Sequence, residues 1–89
     1  MGKLKTTTVS REAEFKQALS ILIPQYIDRG AIKRGDWIAV LVMDEGGGRC
    51  GAAIAPAADQ EEARLSRRQF QDFAKGRADY IGSASIQVQ

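Results

Sequence analysis

The residue types that usually carry catalysis or bind metals are scarce in this chain. Its 89 residues include no histidine and one cysteine, Cys50. Histidine is the usual acid–base group near neutral pH and the commonest metal ligand, so histidine-based triads, cysteine–histidine dyads and imidazole zinc sites are excluded. Cys50 lies in a predicted strand with no base beside it, so we interpret it as a small apolar residue rather than a nucleophile. We expect no enzymatic activity, no metal and no cofactor.

A run of three glycines, Gly46, Gly47 and Gly48, invites comparison with a phosphate-binding loop. Such a loop joins a strand to a helix and carries lysine together with serine or threonine. Here predicted strands lie on both sides of the glycines, and Arg49 is the only cation next to them. We therefore predict a flexible hairpin tip, in which Gly46, Gly47, Gly48 and Arg49 form a candidate contact loop.

Positive charge is concentrated in one stretch of the chain. The net charge is only +2, yet residues 64 to 77 hold five cations and a single carboxylate, Asp72. On a helical wheel most of these cations lie within about 100° of one another. The candidate contacts with nucleic acid or with an acidic protein are Arg64, Arg67, Arg68, Gln71, Lys75 and Arg77. The alternative is a solvated helix face with local ion pairs, Glu61 with Arg64 and Arg68 with Asp72.

Four segments of the sequence have strand character. Residues 37 to 43 are apolar on both faces, and residues 49 to 55 return after the glycines as their hairpin partner. Residues 3 to 9 are rich in β-branched threonine, which favours a first strand. After Asp79 apolar and polar side chains alternate with a period of two, which predicts a last strand that is half-buried.

A helix is predicted in each half of the chain. The first begins after the N-cap Ser10 and carries one apolar stripe. The second spans about residues 60 to 75 behind a capping box of Asp59 and Glu62, and its two phenylalanines are expected to dock it. This order predicts a single α+β domain over residues 1–89, with residues 1 and 2 disordered. Its expected form is a two-layer sandwich of ferredoxin-like β-α-β-β-α-β topology, with a four-stranded antiparallel sheet and two helices on one face.

That topology places the strand at 37 to 43 on the edge of the sheet, with one face open. A strand that is apolar on both faces is unusual there, because soluble monomers rarely expose large apolar patches. The candidate protein interface is Trp37, Ile38, Val40, Val42 and Tyr80. We therefore expect a small non-enzymatic protein–protein interaction domain, either a homodimer or an accessory or inhibitor-type protein, of the kind that phages and mobile elements encode, that binds a larger partner. The alternative is a nucleic-acid-binding accessory domain that uses the basic face of the second helix.

Composition bounds the setting of the protein. With 44% hydrophobic and 27% charged residues, the chain has the make-up of an ordinary globular domain. A lone cysteine cannot form an intramolecular disulfide, and no secretory signal is evident at the N-terminus. The longest strongly apolar stretch has 7 residues, whereas a membrane helix needs about 20. We predict a cytoplasmic protein with no membrane contact.

Overall fold

A computed structural model describes residues 3–89, with side chains described from residue 12 onward. The predicted disorder of residues 1 and 2 falls outside the described residues. Within residues 3–89 the fold consists of two helices and three strands. In chain order they are α1 (Lys3–Asp28), β1 (Trp37–Gly46), β2 (Arg49–Ala57), α2 (Gln60–Ala74) and β3 (Tyr80–Gln87). The predicted α+β character is confirmed.

The predicted first strand is wrong. The backbone of residues 3 to 9 belongs to α1, which runs without a break through Ser10 and through Pro24 to Asp28. Threonine disfavours a helix by no more than about 0.7 kcal/mol per residue, and extending a helix is far easier than nucleating one. Once the apolar stripe from Phe15 onward docks on the sheet, the preceding residues can therefore continue the helix.

Among the described residues the sheet consequently has three strands, in the order β2-β1-β3, and not the four of the predicted ferredoxin-like topology. β1 is antiparallel to both of its neighbours. β2 and β3 are therefore parallel to each other, and α2 carries the chain from one edge of the sheet to the other. The hairpin of β1 and β2 lies where the glycines predict it.

The central position of β1 explains its apolar sequence. Side chains alternate along a strand, so Ile38, Val40 and Val42 share one face while Ala39 and Leu41 share the other. All five are at most 4% exposed. The strand predicted to lie at the edge, with one face open, is thus the middle strand, covered on both faces.

Helix α1 covers the face that carries Ile38, Val40 and Val42. The core there is built from large aliphatic and aromatic side chains. Phe15 of α1 lies directly over Gly82 of β3, where an added Cβ would lie 2.8 Å from Phe15 Cδ1. Any larger residue at position 82 would displace that ring. The α1 residues in this core are Phe15, Ala18, Leu19, Leu22, Ile23, Tyr26 and Ile27.

Helix α2 packs along the sheet on the opposite face, where Ala39 and Leu41 lie. Its fully buried residues are two alanines, Ala63 and Ala74. The register places Ala55 of β2 beside Ala39, so small side chains on both surfaces let the helix approach closely. The prediction that both helices cover one face is therefore wrong as well.

The docking role predicted for the two phenylalanines of α2 is only partly met. Phe70 is half-buried, whereas Phe73 is 67% exposed. The predicted cap is present, because the Asp59 carboxylate accepts a hydrogen bond of 2.9 Å from the backbone N–H of Glu62. The Glu62 carboxylate accepts in turn from the backbone N–H of Ala58. Neither helix of the part described, residues 3–89, combines the length and apolar character needed to cross a membrane.

Candidate functional site

The predicted basic residues of α2 form a row along one flank of the helix. Arg64, Arg68, Gln71 and Lys75 follow one another at spacings of four, three and four, and all four are exposed. Arg67 lies between this row and the buried alanines and is half-buried. We call these five residues the basic stripe. From Arg64 to Lys75 it extends about 16 Å along the helix axis.

The cations of the basic stripe have no carboxylate partner in the described structure. The local pairs expected for a solvated helix face, Glu61 with Arg64 and Arg68 with Asp72, are not among the ion pairs of the residues described. Gln60, Glu61, Arg64, Leu65 and Arg68 instead line a shallow groove on the outer surface of α2. The guanidinium groups are therefore available to an external anion.

Arg77 differs from the stripe in both position and pairing. Its Nε and Nη2 donate to the two carboxylate oxygens of Asp79 at 3.1 and 3.2 Å. These bonds raise the pKa of Arg77 and lower the pKa of Asp79. The guanidinium also lies 5.5 Å from the centre of the Phe73 ring. On a helical wheel Phe73 is about 160° around α2 from Lys75. The structure thus separates Arg77 from the other predicted contacts.

The predicted protein interface is divided by the fold. Ile38, Val40 and Val42 lie beneath α1 and are at most 1% exposed, so they present no surface to another molecule in this conformation. Trp37 and Tyr80 are half-buried. They lie at opposite ends of β1, because Trp37 pairs with Gln87 and Met43 pairs with Tyr80. The Tyr80 hydroxyl hydrogen-bonds the Ser83 hydroxyl at 3.0 Å.

The predicted contact loop is an exposed hairpin tip. Gly46, Gly47 and Gly48 have φ values of 89°, 62° and 78°, in the left-handed region that glycine tolerates best. The backbone N–H of Gly46 donates to Asp44 Oδ1 at 2.8 Å. Because β3 begins beside Asp44, the tip and Arg49 lie at the same end of the sheet as the C-terminus of α2.

Three exposed apolar side chains were not predicted as surface features: Ile21, Leu65 and Phe73. Leu65 could have been found, since it stands apart from the apolar residues of α2 on a helical wheel. Phe73 could not, because it lies next to Phe70 on the same wheel. Cys50 lies in the predicted strand, as the second residue of β2, and is exposed.

Among the described residues no group of three or more histidine, cysteine, aspartate or glutamate side chains could hold a metal ion. The basic stripe is therefore the strongest candidate site in the described structure. Comparison with protein families, with curated proteins and with solved structures finds no match to this chain.

Proposed function

We propose that this protein is a small non-enzymatic accessory domain that binds nucleic acid through the basic stripe of α2. The observation that supports this proposal is the row of exposed cations without an intramolecular carboxylate partner in the described structure. A chain with a lone cysteine has no internal disulfide to maintain, which suits a reducing compartment, so we place the protein in the cytoplasm.

The dimensions of the stripe suit a phosphate backbone. Consecutive phosphates of one DNA strand are about 3.4 Å apart along the helix axis, so a row of about 16 Å spans about five of them. Arginine and lysine bind phosphate oxygens through charge-assisted hydrogen bonds, and Gln71 adds a neutral donor. Each neutralised phosphate releases condensed counterions, which favours binding at low salt.

The proposed binding is not specific for sequence. The stripe offers contacts to phosphates, whereas base recognition needs side chains that reach base edges in a groove. We therefore expect the affinity to depend mainly on ionic strength. If Arg64, Arg67, Arg68 and Lys75 all contact duplex phosphates, the slope of log K against log salt is about −3.6.

The test is fluorescence anisotropy with a labelled DNA duplex and a labelled single-stranded RNA, at salt concentrations from about 50 to about 200 mM. Reversing two charges of the stripe, Arg64→Glu with Arg68→Glu, is expected to weaken binding at least about tenfold and to flatten the salt slope. The matched control reverses two exposed arginines outside α2, Arg29→Glu with Arg34→Glu, and has the same net charge.

The control variant should retain most of the affinity. If both double variants lose affinity equally, net charge and not the stripe governs binding. A wild-type protein that binds neither probe at low salt would rule out nucleic-acid binding.

A second candidate function is a protein-interaction domain of the accessory or inhibitor type. It is supported by the exposed apolar side chains of α2, because Leu65 is 54% exposed and Phe73 is 67% exposed. Aromatic residues and arginine are enriched in protein interfaces. In this case Leu65→Ser with Phe73→Ser would abolish binding to the protein partner, whereas the nucleic-acid hypothesis expects little effect of this pair on anisotropy with DNA.

A further inference from the structure

The two edges of the sheet differ in their protection against pairing with another strand. β3 pairs with β1 on one side only within residues 3–89, so its other side carries unpaired backbone N–H and C=O groups. The eight residues of β3 include no charged residue and no proline. Natural edge strands usually carry lysine, proline or a bulge that prevents such pairing. β3 lacks the first two of these along its whole length. Its pairing with β1 is irregular at its start, where Ile81 is an extra residue between Tyr80 and Gly82.

The opposite edge, β2, is protected. It begins at Arg49 and contains Pro56, which has no N–H to donate. An added strand would therefore meet a residue without an N–H on β2, whereas β3 has an N–H at every residue and pairs regularly with β1 from Gly82 to Gln87.

We propose that two copies of this chain associate through their β3 strands, in antiparallel orientation, to form a continuous six-stranded sheet. A second copy is the occupant that the sequence of β3 favours, because a two-fold axis brings identical segments together and an uncharged segment meets no repulsion there. An axis through Ala84 also places the Ser83 of each copy opposite Ser85 of the other.

The serine side chains support this register. In the described structure the Ser83 hydroxyl is bonded to Tyr80, whereas the half-buried Ser85 has no side-chain hydrogen bond to another described residue. Cross-strand serine pairs can form hydrogen bonds in antiparallel sheets. On the other face the same register places Ile86 of each copy beside Gly82, over which Phe15 of α1 lies. Both faces of the junction then have a complementary contact.

The geometry also fixes where the helices lie in the dimer. Two antiparallel strands in one sheet are related by an axis perpendicular to that sheet, so equivalent faces lie on the same side. The two α2 helices therefore share one face of the six-stranded sheet and the two α1 helices share the other. This dimer does not depend on nucleic-acid binding, although it would present two basic stripes on one side.

The experiment measures the mass of the purified chain by sedimentation equilibrium over the micromolar concentration range. Wild type is expected to be dimeric. Ser85→Lys introduces like charges on both sides of the two-fold axis and should weaken dimerisation at least about tenfold. The matched control is Ala53→Lys on the exposed part of the other edge, which should leave the dimer intact.

A charge-complementation measurement distinguishes repulsion at the interface from misfolding. Ser85→Lys and Ser85→Glu should each be folded by circular dichroism and largely monomeric, and an equimolar mixture should recover the dimer. If either variant fails to fold, amide hydrogen exchange of the wild-type protein is measured instead, at low and at high protein concentration. The dimer predicts that raising the concentration increases protection of the backbone amides of β3 and not of those of β2.

Each of the remaining outcomes overturns the proposal. A monomeric wild type excludes the dimer. Folded Ser85→Lys with unchanged dimerisation, or Ala53→Lys that becomes monomeric, assigns the interface to another surface. Exchange protection confined to β2 or to the helices does the same.

Discussion

The two helices cover the two faces of the sheet with side chains of different size. Under α1 the core consists of branched aliphatic and aromatic residues, including Ile38, Val40 and Phe15. Under α2 it consists largely of alanine, with Ala63 and Ala74 completely buried. Large side chains bury more apolar area, whereas small ones allow a close approach between backbones. The α1 face should therefore be sensitive to loss of volume and the α2 face to its addition.

The largest expected effect is loss of volume on the α1 face. Ile38 is fully buried in the centre of β1, so Ile38→Ala removes apolar contacts and leaves a cavity. We expect the free energy of unfolding to fall by about 3 kcal/mol. Urea denaturation monitored by circular dichroism measures this change. Ile21→Ala is the control, since Ile21 is 54% exposed on α1 and its truncation should change stability by less than about 0.5 kcal/mol.

Equal losses in these two variants would contradict the assignment of the core to the Ile38 face. If the Ile38→Ala variant is too unstable to measure, the Ile38→Val variant is used instead. That variant should lose about 1 kcal/mol, while the exposed Ile21→Val should lose almost nothing.

Addition of volume on the α2 face should have the next largest effect. Ala63→Leu inserts three carbon atoms where the helix lies close to the strands, and we expect a loss of about 2 kcal/mol. Ala13→Leu makes the same replacement at an exposed position of α1 and should be close to neutral. A tolerated Ala63→Leu would show that α2 can move away from the sheet, and the comparison between the two faces would then fail.

The parts of the fold that the sequence predicts correctly are those with local signals. The hairpin and α2 have local signals, namely the glycine run and the Asp59 cap, and both lie where they are predicted. The first strand has only a local preference for threonine, and docking of the helix that follows it overrides that preference. Strand order is a property of the whole sheet. Predicting a fourth strand at residues 3 to 9 therefore leads to a predicted strand order in which β1 lies at the edge and not at the centre. The apolar character of both faces of β1 already favours the centre.

In the candidate site, too, the sequence predicts the local features and not those that depend on side-chain conformation. The spacing of the basic residues is enough to place them on one flank of α2, because helix periodicity is a local property. The absence of ion pairs to Glu61 and Asp72 in the described structure depends on side-chain conformation, which the spacing does not determine. The docking role predicted for Phe73 is wrong because a phenylalanine next to the apolar face outweighs alanine in any hydrophobicity pattern. Here the alanines make the contact with the sheet.

The smallest expected effect comes from the exposed aromatic residue of α2. Phe73→Ala removes an exposed ring that contacts the Arg77 guanidinium at 5.5 Å, and an exposed contact of this kind contributes less than about 1 kcal/mol. Phe70→Ala, three residues earlier on the half-buried side, should lose about 2 kcal/mol because part of its ring is buried. Urea denaturation of both variants compares their free energies of unfolding for the same substitution at two positions of one helix. If Phe73→Ala is the more destabilising, then α2 is rotated relative to its described position, the alanines do not form its contact with the sheet, and the basic stripe does not face outward. The pair therefore tests the orientation on which both the packing comparison and the proposed binding surface rest.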